Sequence, residues 1–350
     1  MAVPARPRTP VFFNELQLEF KPRYEWAFGE KITHPETTAR AESILAAVGQ
    51  AHEDFDIRVP APIPASALRG LHSMQLLNLY AAAEQLPGDK DFHPTVFPKL
   101  KRGEGDPTNI HQAGAYCFDS GTPLNAQTLS AATWSAACAR AAATTLRKGT
   151  KLAYALSRPP GHHAQRDLFG GYCYFNNAGI AAKTLRRSGR VVVLDIDFHH
   201  GNGTQDLFLR DDKVLTISLH GDPREYFPFF CGYASEVGEG RGRGHNINLV
   251  LESEIDGAHY LAAFEAHALP AIELFEPDYL VLAAGLDTYE RDPIGNFKLT
   301  TEDFFRLGER IGAIGLPVAA IQEGGYYAAH LGRNAVALLR GLRAGLGLAD

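Results

Sequence analysis

The sequence predicts an α/β protein: a single domain with a central, mostly parallel multi-stranded sheet flanked by helices. Three observations carry this. Short apolar, β-rich runs recur along the chain, bounded by glycine and polar residues. They are nearly continuous in apolar residues, as strands buried on both faces should be. Between them lie longer stretches of helical pattern, the alternation that parallel strands with crossover helices require.

The predicted strands cover residues 151–156, 190–196, 214–219, 246–251, 279–284 and 318–321. The predicted helices cover 129–146, 175–187, 258–275, 301–314 and 329–342. Gly149, Gly189, Gly315 and Gly341 follow or punctuate them as C-terminal stops. Upstream, 37–48, the proline-spaced 59–64 and 68–86 read as an earlier βα portion of the same domain. The one stretch outside this rhythm is 87–125, rich in Gly, Pro and charge. A loop that long inside a domain is usually functional or disordered. Its interleaved Phe92, Phe97, Tyr116 and Phe118 predict that it packs on something. No internal repeat or second-domain linker is visible, so residues 1–350 read as one catalytic domain with an insertion at about 87–125.

Composition narrows the class. The chain has 350 residues, 45% hydrophobic and 21% charged, with a formal net charge of −6. Nothing in that balance calls for nucleic acid or an anionic membrane. No apolar run approaches the roughly 18 residues of a membrane span. The first ten residues carry three prolines and two arginines and do not read as a secretory signal. Cys117, Cys138, Cys173 and Cys231 are scattered without a CxxC pair, which predicts reduced thiols in the cytoplasm.

Chemistry concentrates where predicted strands end. Directly after the apolar run 191–194 come Asp195, Asp197, His199, His200, Gly201 and Asn202. Ligands bind outside the carboxyl ends of strands in such sheets. Carboxylates and imidazoles this dense need a partner if buried, and a divalent metal is an economical one. On an extended chain Asp197 and His199 project to one side, with Asp195 a step behind. The next strand end supplies Asp287, which could instead be a helix cap. Another leads through Arg158, Pro159, Pro160 and Gly161 to the adjacent His162 and His163, and a fourth ends in Glu323, Gly324, Gly325 and Tyr326. Two Asp and one His leave a coordination position open for water, the pattern of a catalytic zinc. The histidine pair supplies acid and base, and the Tyr326 hydroxyl a donor to a developing oxyanion. Together these strand ends read as an amide hydrolase.

The runs RPPGHHAQRDLFGGYCYFNN, LDIDFHHGNGTQD, ISLHGDP, GLDTYERDP and EGGY resemble the histone deacetylase superfamily, of arginase/deacetylase fold, from about Phe12 to Leu342. The resemblance implies zinc ligands at Asp197, His199 and Asp287, a tandem pair at His162 and His163, and an oxyanion tyrosine at Tyr326. Asp195 stands behind the first histidine, and Asn202 stands where many members have Asp behind the second. A neutral amide raises an imidazole's pKa less than a carboxylate does. His163 is therefore expected to stay neutral as the proton acceptor, and His162 to be the more cationic.

Within the superfamily the chain is most similar to acetylpolyamine amidohydrolases, by Tyr172 in GGYCYFNN, the 115–119 segment, Thr122-Pro123, the long preceding loop and FPFFCGYASEVGEG. That likeness implies a channel walled by Tyr172 and Phe227 beside Gly171, and a homodimer joined through the 87–125 loop. The implied substrate is a small acetylated amine, with protein acetyllysine as the alternative. Glu104, Asp106, Asp119, Glu15, Glu25 and Glu30 are candidates for the distal ammonium. A structural potassium ion on backbone oxygens of Asp195, Asp197, His199, Ser218 and Leu219 is also implied.

Three other readings compete. An arginase-like dimetal site needs further carboxylates, but Gly201 stands two after His199 and no second Asp flanks Asp287. A dinucleotide fold needs Gly-x-Gly-x-x-Gly opening a helix after a strand. The glycine run from Gly238 to Gly244 precedes a strand instead. A non-catalytic relative would be expected to lack a ligand or the tyrosine, and none is missing.

Overall fold

The computed structural model describes residues 7–88, 90–98 and 105–349. Its strands are β1 (Thr9–Phe12), β2 (Tyr24–Ala27), β3 (Glu30–Thr33), β4 (Phe55–Arg58), β5 (Leu152–Ala155), β6 (Val191–Asp195), β7 (Val214–Gly221), β8 (Asn246–Leu251), β9 (Tyr279–Ala284) and β10 (Val318–Gln322). Its α-helices are α1 (Thr38–Gln50), α2 (Ala65–Arg69), α3 (Met74–Ala83), α4 (Thr128–Leu146), α5 (Asn177–Leu185), α6 (Asn202–Phe208), α7 (Gly257–Ala263), α8 (Leu269–Phe275), α9 (Thr301–Gly312) and α10 (Ala328–Gly345).

Among the described residues, eight strands form one sheet in the order β4-β1-β5-β10-β9-β6-β7-β8, every neighbour parallel. Alternate residues of the central strands feed two cores. Val192, Leu194, Leu280 and Leu282 pack with residues of α1, α8, α9 and α10. Val191, Val193, Val281 and Ala283 pack with residues of α3, α4 and α5. Both faces are covered, which is why these strands carry almost no polar residue.

Register sets where the chemistry can be. Asp195 lies beside Ala283, Ala283 beside Ile321, and Ile321 beside Ala155. The carboxyl ends of β6, β9, β10 and β5 therefore finish level, and the four loops that follow them open onto one place.

The central strands fall where the apolar runs predicted them. The N-terminal region differs. Residues 59–64 are not a strand; the pairing segments are β1 and β4, four residues each. Strands that short carry too few residues for a periodicity to register. A β2–β3 hairpin, pairing Ala27 with Glu30, also had no pattern in the sequence. Its two-residue turn is Phe28-Gly29, both at positive φ, the backbone that matches strand twist. The helix predicted at 258–275 is interrupted by a π turn at Phe264–Ala268, just before Pro270, which lacks the amide a regular turn would use. Gly341 is not a stop but lies inside α10. A Cβ there would sit 2.0 Å from the Phe305 carbonyl oxygen, so glycine is what lets α10 lie against α9.

The described part of the 87–125 segment packs, as its aromatics predicted. Phe92 and Leu124 exchange backbone hydrogen bonds at 2.7 and 2.8 Å, a 3₁₀ turn spans Ile110–Ala115, and Tyr116 is buried. The four cysteines are free, three of them buried. Among the described residues no helix is long and apolar enough to cross a membrane.

Candidate active site

β6 ends at Asp195, and the chain beyond it turns so that Asp197 and His199 meet Asp287 from the end of β9. The three offer ligand atoms that all lie within 4.8 Å of one another. His199 Nδ1 is 2.9 Å from Asp287 Oδ2 and 3.3 Å from Asp197 Oδ1. The remaining oxygens are held by backbone amides. Gly324 N donates to Asp197 Oδ2 at 2.8 Å and Phe198 N to Asp287 Oδ1 at 2.8 Å. A side chain at Gly324 would lie 2.5 Å from Asp197 Oδ2, so the carboxylate approaches bare backbone. Asp287 is thus not a helix cap. Asp195 diverges from the other two, its carboxylate turning to His162.

The electrostatics of this trio fit a cation. Asp197 and Asp287 are fully buried, and a pair of adjacent buried carboxylates is costly without positive charge. Burial, then the neighbouring Asp197, pushes Asp287 up to about 7. Burial alone would lower His199, but its hydrogen bonds to Asp197 and Asp287 raise it to about 9. The pair draws a proton onto the one nitrogen that could instead ligate a metal. Two carboxylates and one imidazole suit a divalent ion with an open position.

His162 and His163 sit beside the trio on the loop after β5. Arg158 anchors that loop. It is fully buried, donates to the carbonyls of Gln17 and Phe20 at 2.6 and 2.8 Å, and pairs with Glu36 at 2.9 Å. His162 Nδ1 meets Asp195 Oδ2 at 2.9 Å, and His163 Nδ1 meets Asn202 Oδ1 at 2.6 Å. The different partners separate the two rings. Burial lowers His162, but Asp197 and Asp195 outweigh it and hold it well above the ordinary histidine range. Burial, reinforced by His162 and His199, holds His163 well below that range.

Tyr326 follows β10, its amide bonded to Asp292 at 2.6 Å and its ring 4.7 Å from the Arg40 guanidinium. Burial pushes its phenol well above the usual value, so it keeps its proton as a donor. Tyr172 lies 5.9 Å from the Tyr326 ring, and Phe227 stands perpendicular to His163 at 4.9 Å. Gly171 has φ +57°, and a Cβ there would fall 2.2 Å from the His163 ring. The structure therefore brings together the aromatic pair, Gly171, the tandem histidines, Tyr326 and the carboxylate–imidazole trio. Ser218, beside Asp195 in the sheet, commits its hydroxyl to His220 at 2.8 Å.

Several contributors were not assigned a role from the sequence. Glu323 accepts the amides of Gly161 and His162 at 2.6 and 3.0 Å, latching the histidine turn to the end of β10. Its place in the EGGY run is the only signal the sequence offered. Glu36 binds Arg40 as well as Arg158, and Arg40 donates to the carbonyls of Glu323 and Gly325. Phe118 stacks on Phe227 at 5.8 Å, bringing a ring of the long loop beside it. Of the acidic candidates among the described residues, Glu25 alone is bonded to the side chain of Tyr172 or Phe227, accepting the Tyr172 hydroxyl at 2.8 Å. Asp119 is turned inward onto the amides of Gly121, Thr122 and Gly171. Asp106 bonds Thr108 on the exposed loop, and Glu104 lies outside the described residues.

Residues 34–342 match the model of the histone deacetylase domain. The chain belongs to the histone deacetylase family. Acetylpolyamine amidohydrolase 2 of Pseudomonas aeruginosa is 39% identical over 326 residues, covering 91% of this chain and 94% of its own. The acetylpolyamine amidohydrolase of Mycoplana ramosa is 39% identical over 341 residues, covering 95% and 99%. A crystal structure of acetylpolyamine aminohydrolase from Burkholderia pseudomallei superposes with a TM-score of 0.90 at 35% identity, covering 96% of this chain and 99% of that one. The family member described here is a hydrolytic deacetylase.

The Asn202–His163 contact yields a testable asymmetry. Asn202→Asp puts a carboxylate on His163 Nδ1, which should raise the ring's pKa. NMR titration of the imidazole should show His163 protonating at higher pH in the variant than in the parent. An unchanged titration would mean that burial alone sets its charge.

Proposed function

We propose that this deacetylase hydrolyses the acetamide of small acetylated amines, acetylpolyamines first among them, with one zinc ion held by Asp197, His199 and Asp287. The observation that carries the reading is the asymmetry of the tandem histidines beside that trio: one ring, bonded to a carboxylate, is held charged by Asp197 and Asp195, while the other, bonded only to an amide, is held neutral by burial and the adjacent rings. Support for the substrate comes from the aromatic slot and from the acetylpolyamine amidohydrolases that the chain resembles over nearly its whole length.

When bound, zinc supplies Lewis acidity toward the amide carbonyl and the attacking water. The chain's own groups do the rest. Asn202 Oδ1 fixes the proton of His163 on Nδ1, leaving Nε2 free to accept a proton from water as it attacks and to return it to the leaving nitrogen. His162, its Nδ1–H on Asp195, stays positive and stabilises the negative charge that builds opposite it. Tyr326 donates its O–H to the oxygen that becomes the oxyanion. Tyr172, Phe227 and Phe118 confine the slot to a slender chain and keep bulk water from the reacting amide. We also place the enzyme in the cytoplasm, a reducing compartment suited to four free thiols. It forms a homodimer through residues 87–125, a segment whose Phe118 stacks on Phe227.

The substrate reading is tested by kinetics on zinc-loaded protein. Acetylputrescine should be cleaved with a higher kcat/KM than an acetyllysine peptide; the reverse order would move the substrate to acetylated proteins. In Tyr326→Phe, kcat should fall about 10²–10³-fold, the effect of losing one oxyanion donor, with zinc retained by metal analysis. A variant within about threefold of the parent on that scale would remove the phenol from the reaction. Shortening the loop between Gly88 and Gly114 should give monomers by sedimentation and relax the preference toward bulky peptides; a trimmed dimer with the same ranking would refute both roles.

A further inference from the structure

The run GLDTYERDP carries two aspartates, and only the first, Asp287, belongs to the carboxylate–imidazole trio. The second, Asp292, is buried on the loop between β9 and α9, where its own amide donates to the Tyr289 carbonyl at 2.9 Å. Burying a carboxylate is costly unless hydrogen bonds replace its water. Among the described residues its donors are all backbone amides. Oδ1 accepts those of Ile294 and Gly295 at 3.0 and 3.3 Å, and Oδ2 those of Tyr326 and Tyr327 at 2.6 and 3.2 Å. One oxygen closes a turn of its own loop. The other reaches 34 residues along the chain to the oxyanion tyrosine.

This link joins the loop of a metal ligand to a phenol. A Cβ at Gly295 would lie 1.8 Å from the Asp287 carbonyl oxygen, so the turn that Asp292 closes is packed on the main chain of Asp287. At the other end, Tyr326 follows two glycines that contribute no side chain to hold the segment. Gly325 has φ +117°, a backbone open to glycine and strained for other residues. The Tyr326 ring meets Arg40 through its face and Tyr172 edge-on. Such ring contacts tolerate sliding and do not by themselves fix where the hydroxyl stands. Just beyond, α10 starts without a side-chain cap from its own N-cap residue, Tyr327. The Asp292 carboxylate lies at that end of the helix, where negative charge is favoured.

We propose that Asp292 is a positioning residue for the hydrolysis: it ties the main chain of Tyr326 to the loop of Asp287, so that oxyanion donor and metal trio keep one spacing. This rests on the deacetylase reading above. The Asp287 carboxylate has anchors of its own in Phe198 N and His199. Loosening Asp292 therefore releases the phenol and leaves the metal ligands in place. A displacement of about 1 Å at a reacting group costs on the order of 10²-fold in rate.

Asp292→Asn keeps the size of the side chain but leaves one acceptor oxygen for four amides. On zinc-loaded protein with acetylputrescine, kcat should fall about tenfold to hundredfold, with KM nearly unchanged and zinc retained by metal analysis. The deciding measurement repeats the substitution in Tyr326→Phe. There Asp292→Asn should cost nothing further, the double variant staying within about twofold of Tyr326→Phe. Equal losses in both backgrounds would overturn the assignment, because a merely loosened fold slows both alike; so would no loss in the first. Should Asp292→Asn not fold, amide hydrogen exchange in the parent decides. The Tyr326 and Tyr327 amides should be protected, and exchange at the rate of exposed loops would overturn the link. A parent that cleaves no acetylated amine would instead fail the deacetylase reading, while amide exchange would still report on Asp292.

Discussion

Two buried carboxylates facing one imidazole set the terms for everything around them. Asp197 and Asp287 project from neighbouring strand ends into the buried interior, and each is kept there by a backbone amide and by His199. Such a pair cannot rest on hydrogen bonds alone, because the mutual repulsion of adjacent buried anions is poorly screened. The arrangement is stable as the socket of a cation. The glycine at 324 follows from it, since the carboxylates press on bare backbone. So does the charge on His162, which lies 3.8 Å from Asp197 as well as beside Asp195.

A second buried charge cluster holds the frame in which that socket works. Glu36 sits between Arg40 and Arg158 with all three side chains essentially inaccessible. Arg158 fixes the turn that presents the tandem histidines, while Arg40 reaches the carbonyls flanking Gly324 and lies over the Tyr326 ring. One anion near the N-terminus thereby couples the histidine loop to the tyrosine loop. Glu323 makes the same link from the other side. Precise spacing between acid–base groups and oxyanion donor is what an amide hydrolase requires, and here it comes from buried residues behind those groups.

The central strands and the four polar strand ends were legible because each rests on contiguous residues. A run such as VVVLDIDFHH states both its burial and its chemistry within ten positions. The N-terminal third was less legible. β1 and β4 are four-residue strands, and the hairpin is held by a positive-φ turn and by contacts to the loop at 118–122 that no local pattern encodes. Gly341 read as a helix stop because glycine usually is one; its reason for being there is a carbonyl on another helix. Among six candidate acidic residues at the rim, nothing local distinguished Glu25 from its neighbours.

By itself the sequence determined the class of fold and the residue types of a metal-assisted amide hydrolase, and its likeness to the histone deacetylases implied Asp195 and Asn202 as the unequal partners of the two histidines. Tertiary structure alone decided which distant groups meet. The level register of β5, β10, β9 and β6 brings 155, 321, 283 and 195 to one edge, and the hairpin lays Glu25 against Tyr172 across 147 residues of chain. Hydrophobic pattern is a local property and survives in the order of residues. The pairing of buried charges is not local, because it depends on where the low-dielectric interior closes around them.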